Sequence, residues 1–187
     1  MILANNGFQI NNFLIPPFEL HEGEIIRLCI YGGSHFFELE DQLVKILTGI
    51  NPHPDVTIHQ KMVFAEPIWP HGFKEFIYPL TIKRYLKQHA KFEDLKIFSG
   101  LDDVKPNTKI ITLPGNHRKW ISIASKLSYN KNIIFDLVGQ DPLGAMKTLE
   151  VMKSLSEKGY SALFLDNFDD PEISFDREFY IEKISEY

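Results

Sequence analysis

Residues 113–142 read LPGNHRKWISIASKLSYNKNIIFDLVGQDP, and the parsing of this stretch decides the fold. Pro114-Gly115 is a turn signal that opens a helix. Trp120, Ile121, Ala124 and Leu127 then recur at the 3.6-residue spacing of one buried helical face. A short polar loop follows. Asn132–Phe135 is a brief apolar run of the kind a parallel sheet buries on both sides, and Asp136 ends it. After a second acidic turn, Gln140-Asp141-Pro142, residues Leu143–Glu157 predict an amphipathic helix with Met146, Leu149, Met152 and Leu155 turned inward. Ile110–Leu113 leads into the opening turn. The order is turn, helix, strand, turn, helix.

Upstream, Glu22-Gly23 marks a turn and Glu24–Ile30 is a β-branched strand. Tyr31-Gly32-Gly33-Ser34 and the residues up to Gly49 predict a glycine turn followed by a helix. Strand, glycine turn and helix is the layout of a phosphate-binding loop, which needs three chemical parts. Glycines let backbone N–H groups cradle phosphate, a lysine reaches the β- and γ-phosphates, and a Ser or Thr hydroxyl meets Mg²⁺. Gly32, Gly33 and Ser34 supply the first part. Residues 56–66 read as a further strand ending at Glu66. Phe73, Phe76 and Ile77 share a helical face, Pro79 breaks it, and Ile82, Tyr85 and Leu86 begin another. Trp69 and Phe73, flanked by prolines, offer a docking surface. Asp102–Thr108 is a polar loop, and Gly159–Asn167 reads as a turn and strand.

The chain has 187 residues, with 44% hydrophobic and 13% aromatic content and a formal net charge of −5. Those values suit one globular domain. They carry no basic footprint for nucleic acid. Cys29 is the single cysteine; it cannot form an internal disulfide, and its apolar surroundings suggest a buried thiol. The histidines are scattered without zinc-ligand spacing, and no G-x-S-x-G or G-x-G-x-x-G motif occurs. No apolar run reaches membrane-spanning length, so a cytoplasmic protein is expected, membrane-associated only through a partner.

The succession of elements resembles an ABC-type ATPase, the ATP-binding cassette of transporters. Gly23-Glu24 matches the pair that leads into the first strand of that family, and Leu43–Gly49 with Pro52 matches the end of its phosphate-loop helix. Leu113 and Gly115 stand where the signature Leu-Ser-Gly-Gly-Gln begins, and Arg118 with Ile121–Leu127 fits the signature helix. Asp136 matches the Walker B aspartate, Gln140–Pro142 the D-loop, and Asp176-Arg177 a late strand. The resemblance implies an α/β, P-loop NTPase-like three-layer fold with helices on both sides of the sheet. It also implies a single domain over 1–187 with a small helical subdomain inserted at 67–112.

Most family positions that carry chemistry hold other residues here. Counting back from Gly49, the lysine position falls on Glu40 and the hydroxyl positions on Asp41 and Gln42. Leu137 stands where the general-base glutamate belongs, and leucine cannot take a proton from water. Pro114 replaces the signature serine, Glu66 the glutamine that helps hold Mg²⁺, and Asn167 the switch histidine. At roughly 4 Å and an effective dielectric of roughly 20, one charge pair is worth about 4 kcal/mol. Exchanging Lys for Glu thus removes a large part of the ~8 kcal/mol behind micromolar binding. Glu38, Glu40 and Asp41 are instead expected to cap the helix start, occupying the anion's place.

The residual nucleotide positions are Gly32, Gly33, Ser34, Glu66, Asp136 and Asn167, with ATP and Mg²⁺ held weakly or not at all, no catalytic residue and no dedicated metal site. The expected role is a non-hydrolysing interaction or regulatory subunit. Its partners would be an active ATPase subunit, a second copy in a homodimer, or a membrane permease. The alternative is a divergent active ATPase with a remodelled loop.

Overall fold

The computed structural model describes residues 1–30, 33–69, 77–86, 92–166 and 175–184. By internal contacts the chain forms two compact units. One comprises Met1–Phe64, Asn132–Asp136 and Met152–Tyr187; the other comprises Ala65–Lys131 and Leu137–Val151.

Among the described residues, the first unit holds three sheets. The central one is parallel throughout, in the order β10 (Arg177–Tyr180), β5 (Ile25–Cys29), β9 (Ser161–Asp166), β8 (Asn132–Phe135) and β7 (Val63–Phe64). Burial follows from position. All residues of β8 and β9 are buried, as parallel strands covered on both faces must be, and Phe135 stacks on Phe164 across them with ring centroids 5.1 Å apart. The two smaller sheets are antiparallel: β4 (Phe18–Leu20), β1 (Leu3–Asn5) and β6 (Val56–Ile58) form one, and β11 (Glu182–Lys183), β3 (Phe13–Ile15) and β2 (Phe8–Ile10) the other. In β2, β3 and β4 the residues alternate buried, exposed, buried, the period-2 pattern of a strand with one wet face.

Helix α1 spans Phe36–Leu47 and buries Phe36, Leu39, Glu40, Leu43 and Leu47. These sit at helical spacing, so the apolar stripe alone fixes which face turns inward. The helix stops at Thr48, whose Oγ1 donates to the Val44 carbonyl at 2.6 Å, and Gly49 supplies the left-handed residue (φ +78) that ends it.

In the second unit, α2 (Ile82–Leu86) and 3₁₀ turns at Phe92–Ile97, Ser99–Leu101 and Ile110–Thr112 lead to α3 (Gly115–Leu127). Trp120 is the unit's anchor. It stacks on Phe98 with centroids 5.5 Å apart, donates from Nε1 to the Thr148 hydroxyl at 3.0 Å, and leaves room for nothing larger than glycine at Gly100, where a Cβ would lie 2.4 Å from its ring. Helix α4 runs Pro142–Ser156. Among the described residues no helix is long and apolar enough to cross a membrane.

The strand Asn132–Phe135 and the inward set Trp120, Ile121, Ala124 and Leu127 stand as expected. Four details differ. Residues 56–66 form two strands in different sheets, because β6 pairs with β1 and β7 pairs with β8. Met146 is 51% exposed; the inner face of α4 is Gly144, Thr148, Leu149 and Met152, one step round from the stripe that Met146 suggested. Ile77 is exposed, while Phe73 and Phe76 lie outside the described residues. Cys29 is half-buried, at the open end of its strand.

Candidate functional site

The C-terminal edge of the central sheet sets the site region, since α1 departs from there after β5. Ile30 donates its N–H to the Asp166 carbonyl at 2.6 Å, closing the strand end. The chain then turns through Gly33, whose φ of +99 favours glycine and beside which a Cβ would meet nothing within 4 Å. Phe36 N–H bonds the Gly33 carbonyl at 3.2 Å and starts the helix. His35 is the N-cap and makes no side-chain capping bond. Gly33 and Ser34 are exposed in this turn, and Gly32 lies outside the described residues.

The first turn of α1 is therefore Phe36-Phe37-Glu38-Leu39. The register counted from Gly49 placed the lysine and hydroxyl positions at 40–42, yet the helix begins earlier and these fall in its second turn. Neither register brings a cation to the helix start: the first basic residue is Lys45, bound to Asp41 at 2.6 Å. The capping expectation is also corrected. Of the three carboxylates only Glu38 lies in the first turn, and its side chain accepts from Gln42 at 3.3 Å instead of closing the helix end. Asp41 is engaged with Lys45, and Glu40 turns into the core. Phe36 packs inward against Phe37 at 5.2 Å, and Phe37 stands 66% exposed. A cavity of about 330 Å³ opens beside this turn, lined by Asn11, Asn12, Phe13, His35, Glu38 and Lys183 among others. One lysine and one glutamate stand in this lining, so it presents no net positive field to a polyanion.

Asp136 follows β8 and is 1% exposed; Leu137 comes directly after it. Glu66 belongs to the second unit, where its side chain is exposed and its backbone carbonyl accepts from Ser122 Oγ at 2.6 Å. Asn167 lies outside the described residues. Among those described, no group of three His, Cys, Asp or Glu side chains is placed to hold a metal ion.

Two arrangements were not read from the sequence. The first is a buried ionic cluster in the parallel sheet. Arg27, 4% exposed on β5, meets Asp166 of β9 with Nη2 at 2.6 Å and Nε at 2.8 Å, and Glu178 of β10 at 3.5 Å. Burial alone would lower the guanidinium's pKa; Asp166 outweighs it and the value is raised. The cluster ties three adjacent strands, with one guanidinium set between two carboxylates. A lone arginine inside Ile-Ile-Arg-Leu-Cys was the available signal. Nearby, Arg177 grips Glu24 through Nε at 2.6 Å and Nη2 at 2.8 Å, which pins β10 to the turn before β5. Burial raises the Glu24 pKa, but the hydrogen bonds from Arg177 and the His21 backbone overcome it and hold the value low.

The second arrangement joins the turn before α3 to the turn before α4. Asp141 is the cap of α4: its Oδ1 accepts the Gly144 N–H at 2.8 Å, with Pro142 in the first helical position where a missing N–H costs nothing. Asn116 reaches across from α3 with two bonds. Its Nδ2 donates to Asp141 Oδ2 at 2.9 Å, and its Oδ1 accepts the Asp141 backbone N–H at 3.0 Å. The Gly144 N–H and then the Asn116 amide hold the Asp141 carboxyl below the usual carboxylate range. The backbones touch as well, since a Cβ on Gly115 would sit 1.8 Å from the Gly139 carbonyl oxygen. Behind them Gln140 Nε2 donates to the Thr148 hydroxyl at 2.9 Å. Helix α3 also fixes the segment around Glu66, because buried Lys119 donates to the Ala65 carbonyl at 2.8 Å. Tyr85 lies close by, its phenol pushed up by burial.

No family model matches the chain, and no curated protein matches it in sequence. Solved structures do match. An ATP-binding cassette of an ABC transporter superposes with a TM-score of 0.72 at 17% identity, over 97% of this chain and 88% of its own. A bacterial ABC transporter cassette solved as a dimer gives 0.67 at 18% identity and covers 100% of both chains. CbiO1 from Clostridium perfringens, part of the ABC transporter complex cbiONQ, gives 0.64 at 15% identity over 97% of this chain and 85% of its own. The chain has the fold of ABC transporter ATP-binding cassettes, an α/β, P-loop NTPase-like fold. At these identities the fold is what is shared.

Proposed function

We propose that this chain is an ATP-binding-cassette-like subunit that does not hydrolyse ATP and acts through protein contacts. The observation that carries the reading is the start of α1. Its first turn offers two phenylalanines, a glutamate and a leucine, where phosphate binding calls for a lysine and a hydroxyl. Leu137 supports it, because the position after the strand-end aspartate holds no base to activate water. The partner would be an active ATPase subunit, a second copy of this chain, or the cytoplasmic loops of a permease. The solved dimeric cassette and the subunit from a larger transporter complex make such partners reasonable. Residues 67–112 would form the inserted helical subdomain of this arrangement.

Radiolabelled ATP with Mg²⁺ tests the reading in two steps, retention on a filter and release of inorganic phosphate. Background values in both assays are expected. Phosphate release that vanishes in Asp136→Asn would instead establish the divergent ATPase, for which Asp136 at the end of its buried strand is the retained feature.

A further inference from the structure

The short strands β3 and β11 sort their side chains by face. Glu182 lies opposite Leu14 and Lys183 opposite Phe13, and successive residues of a strand point to opposite sides. Phe13 and Lys183 line the cavity beside α1. Leu14 and Glu182 line a second cavity, of about 310 Å³, together with Pro16, Pro17 and Tyr180 among others, and no residue of that lining is basic.

The walls of the second cavity are set by internal contacts before anything binds. Asn5, 3% exposed, donates from Nδ2 to the Pro16 carbonyl at 2.7 Å, and its Oδ1 accepts the Gly7 N–H at 2.9 Å. Gly7 holds φ at +88 and lies so near that a Cβ would stand 3.3 Å from Pro17 Cδ. Tyr180 donates its hydroxyl to Glu178 Oε2 at 3.0 Å, which fixes one end of a ring that is 57% exposed. Glu182 is exposed, and among the described residues no cation pairs with its carboxylate.

These features select the occupant. A carboxylate beside an aromatic ring and apolar walls suits a cation on an apolar stem, since the stem covers leucine, proline and tyrosine while the charge meets the acid. An ammonium is compact and is answered by one carboxylate; a guanidinium's planar fork would leave donors unmet. Leu14, Pro17, Tyr180 and Glu182 are all exposed, so the cleft would enclose little of a free amine. A lysine carried on a polypeptide brings flanking residues to the same apolar walls. The chain's net charge of −5 favours approach of a basic segment.

We propose that Leu14, Tyr180 and Glu182 form a docking cleft for a lysine side chain of a partner protein. The proposal rests on the interaction-subunit reading for its partner, while its chemistry stands on the cleft itself.

The test is a titration of the full chain, ¹⁵N-labelled, with acetyl-Ala-Lys-Ala-amide, its norleucine counterpart and n-butylammonium chloride at constant ionic strength. The signals followed are the backbone N–H groups of Gly7 and Leu14. The lysine peptide should shift both saturably, and the norleucine peptide should bind about tenfold more weakly, as expected for loss of a charge-assisted contact. Glu182→Gln should abolish the difference between the peptides with the remaining spectrum unchanged, and Tyr180→Ala should weaken the lysine peptide. No saturable shift, equal response to both peptides, an unaffected Glu182→Gln, or butylammonium bound as tightly as the lysine peptide overturns the proposal. ATP titrated into the same sample reports separately: shifts of the Gly33 and Ser34 amides would overturn the non-hydrolysing reading and leave this cleft standing.

Discussion

Two helix starts in this chain follow glycine-bearing turns and are built in opposite ways. At α4, Asp141 caps the backbone, Pro142 sets the first φ, and Asn116 binds both the Asp141 carboxylate and its N–H. At α1, His35 makes no capping bond, Gly33 has open space about it, and Phe37 stands in solvent. The first turn consumes its polar groups internally and is structural. The second leaves its end open, as a ligand-binding helix start does, yet carries none of the cations that would draw a phosphate. The lesson is that an open helix end and the chemistry to use it are separable: the first turn, Phe36–Leu39, holds no lysine and no hydroxyl.

Breaking the closed turn should have the largest effect. Gly115→Ala forces a Cβ onto the Gly139 carbonyl and is expected to cost about 3 kcal/mol, a melting-temperature loss of roughly 10 °C for a chain of this size. Asp141→Ala removes the cap and the Asn116 pair, and its melting temperature should fall by less than that of Gly115→Ala.

The same carboxyl gives a pH signature. Its folded pKa lies below its unfolded one, so its contribution is present above about pH 4 and is lost as pH falls through the folded value. Asp141→Asn should flatten that part of the acid-unfolding curve. Glu24 carries the same sign through Arg177.

The open turn should be more tolerant. Gly33→Ala meets no atoms but must hold φ near +99, a strain of about 1 kcal/mol, or roughly 3 °C by melting. Phe37→Ser should lie within about 0.5 kcal/mol of the parent in urea unfolding. A large loss there would mean that the exposed ring is part of a packed surface.

What the sequence made legible tracks how local the determinant is. The strand Asn132–Phe135 follows from its apolar run and the inner face of α3 from periodicity; the structure buries the strand and all four expected helix residues, and Lys119, Ser122, Ile123 and Ser125 besides. The start of α1 was misplaced because family spacing was counted from the far end of the helix, while the apolar stripe that begins at Phe36 decides where it starts. Val63-Phe64 joins the parallel sheet through pairing with β8, some seventy residues away, which no local pattern encodes. The Asp141-Pro142 cap was readable as a helix start. The Asn116 tie was not, since its two partners meet only after α3 and β8 have folded. Arg27 likewise finds Asp166 only across strands.

Thermal unfolding with and without millimolar ATP and Mg²⁺ tests the central claim most directly. A ligand at 100 times its Kd adds about 2.7 kcal/mol to stability, a rise of roughly 8 °C here. The account predicts an unchanged melting temperature. A rise of several degrees, reversed when Gly33 and Ser34 are replaced, would show that the turn before α1 still grips nucleotide and would contradict it.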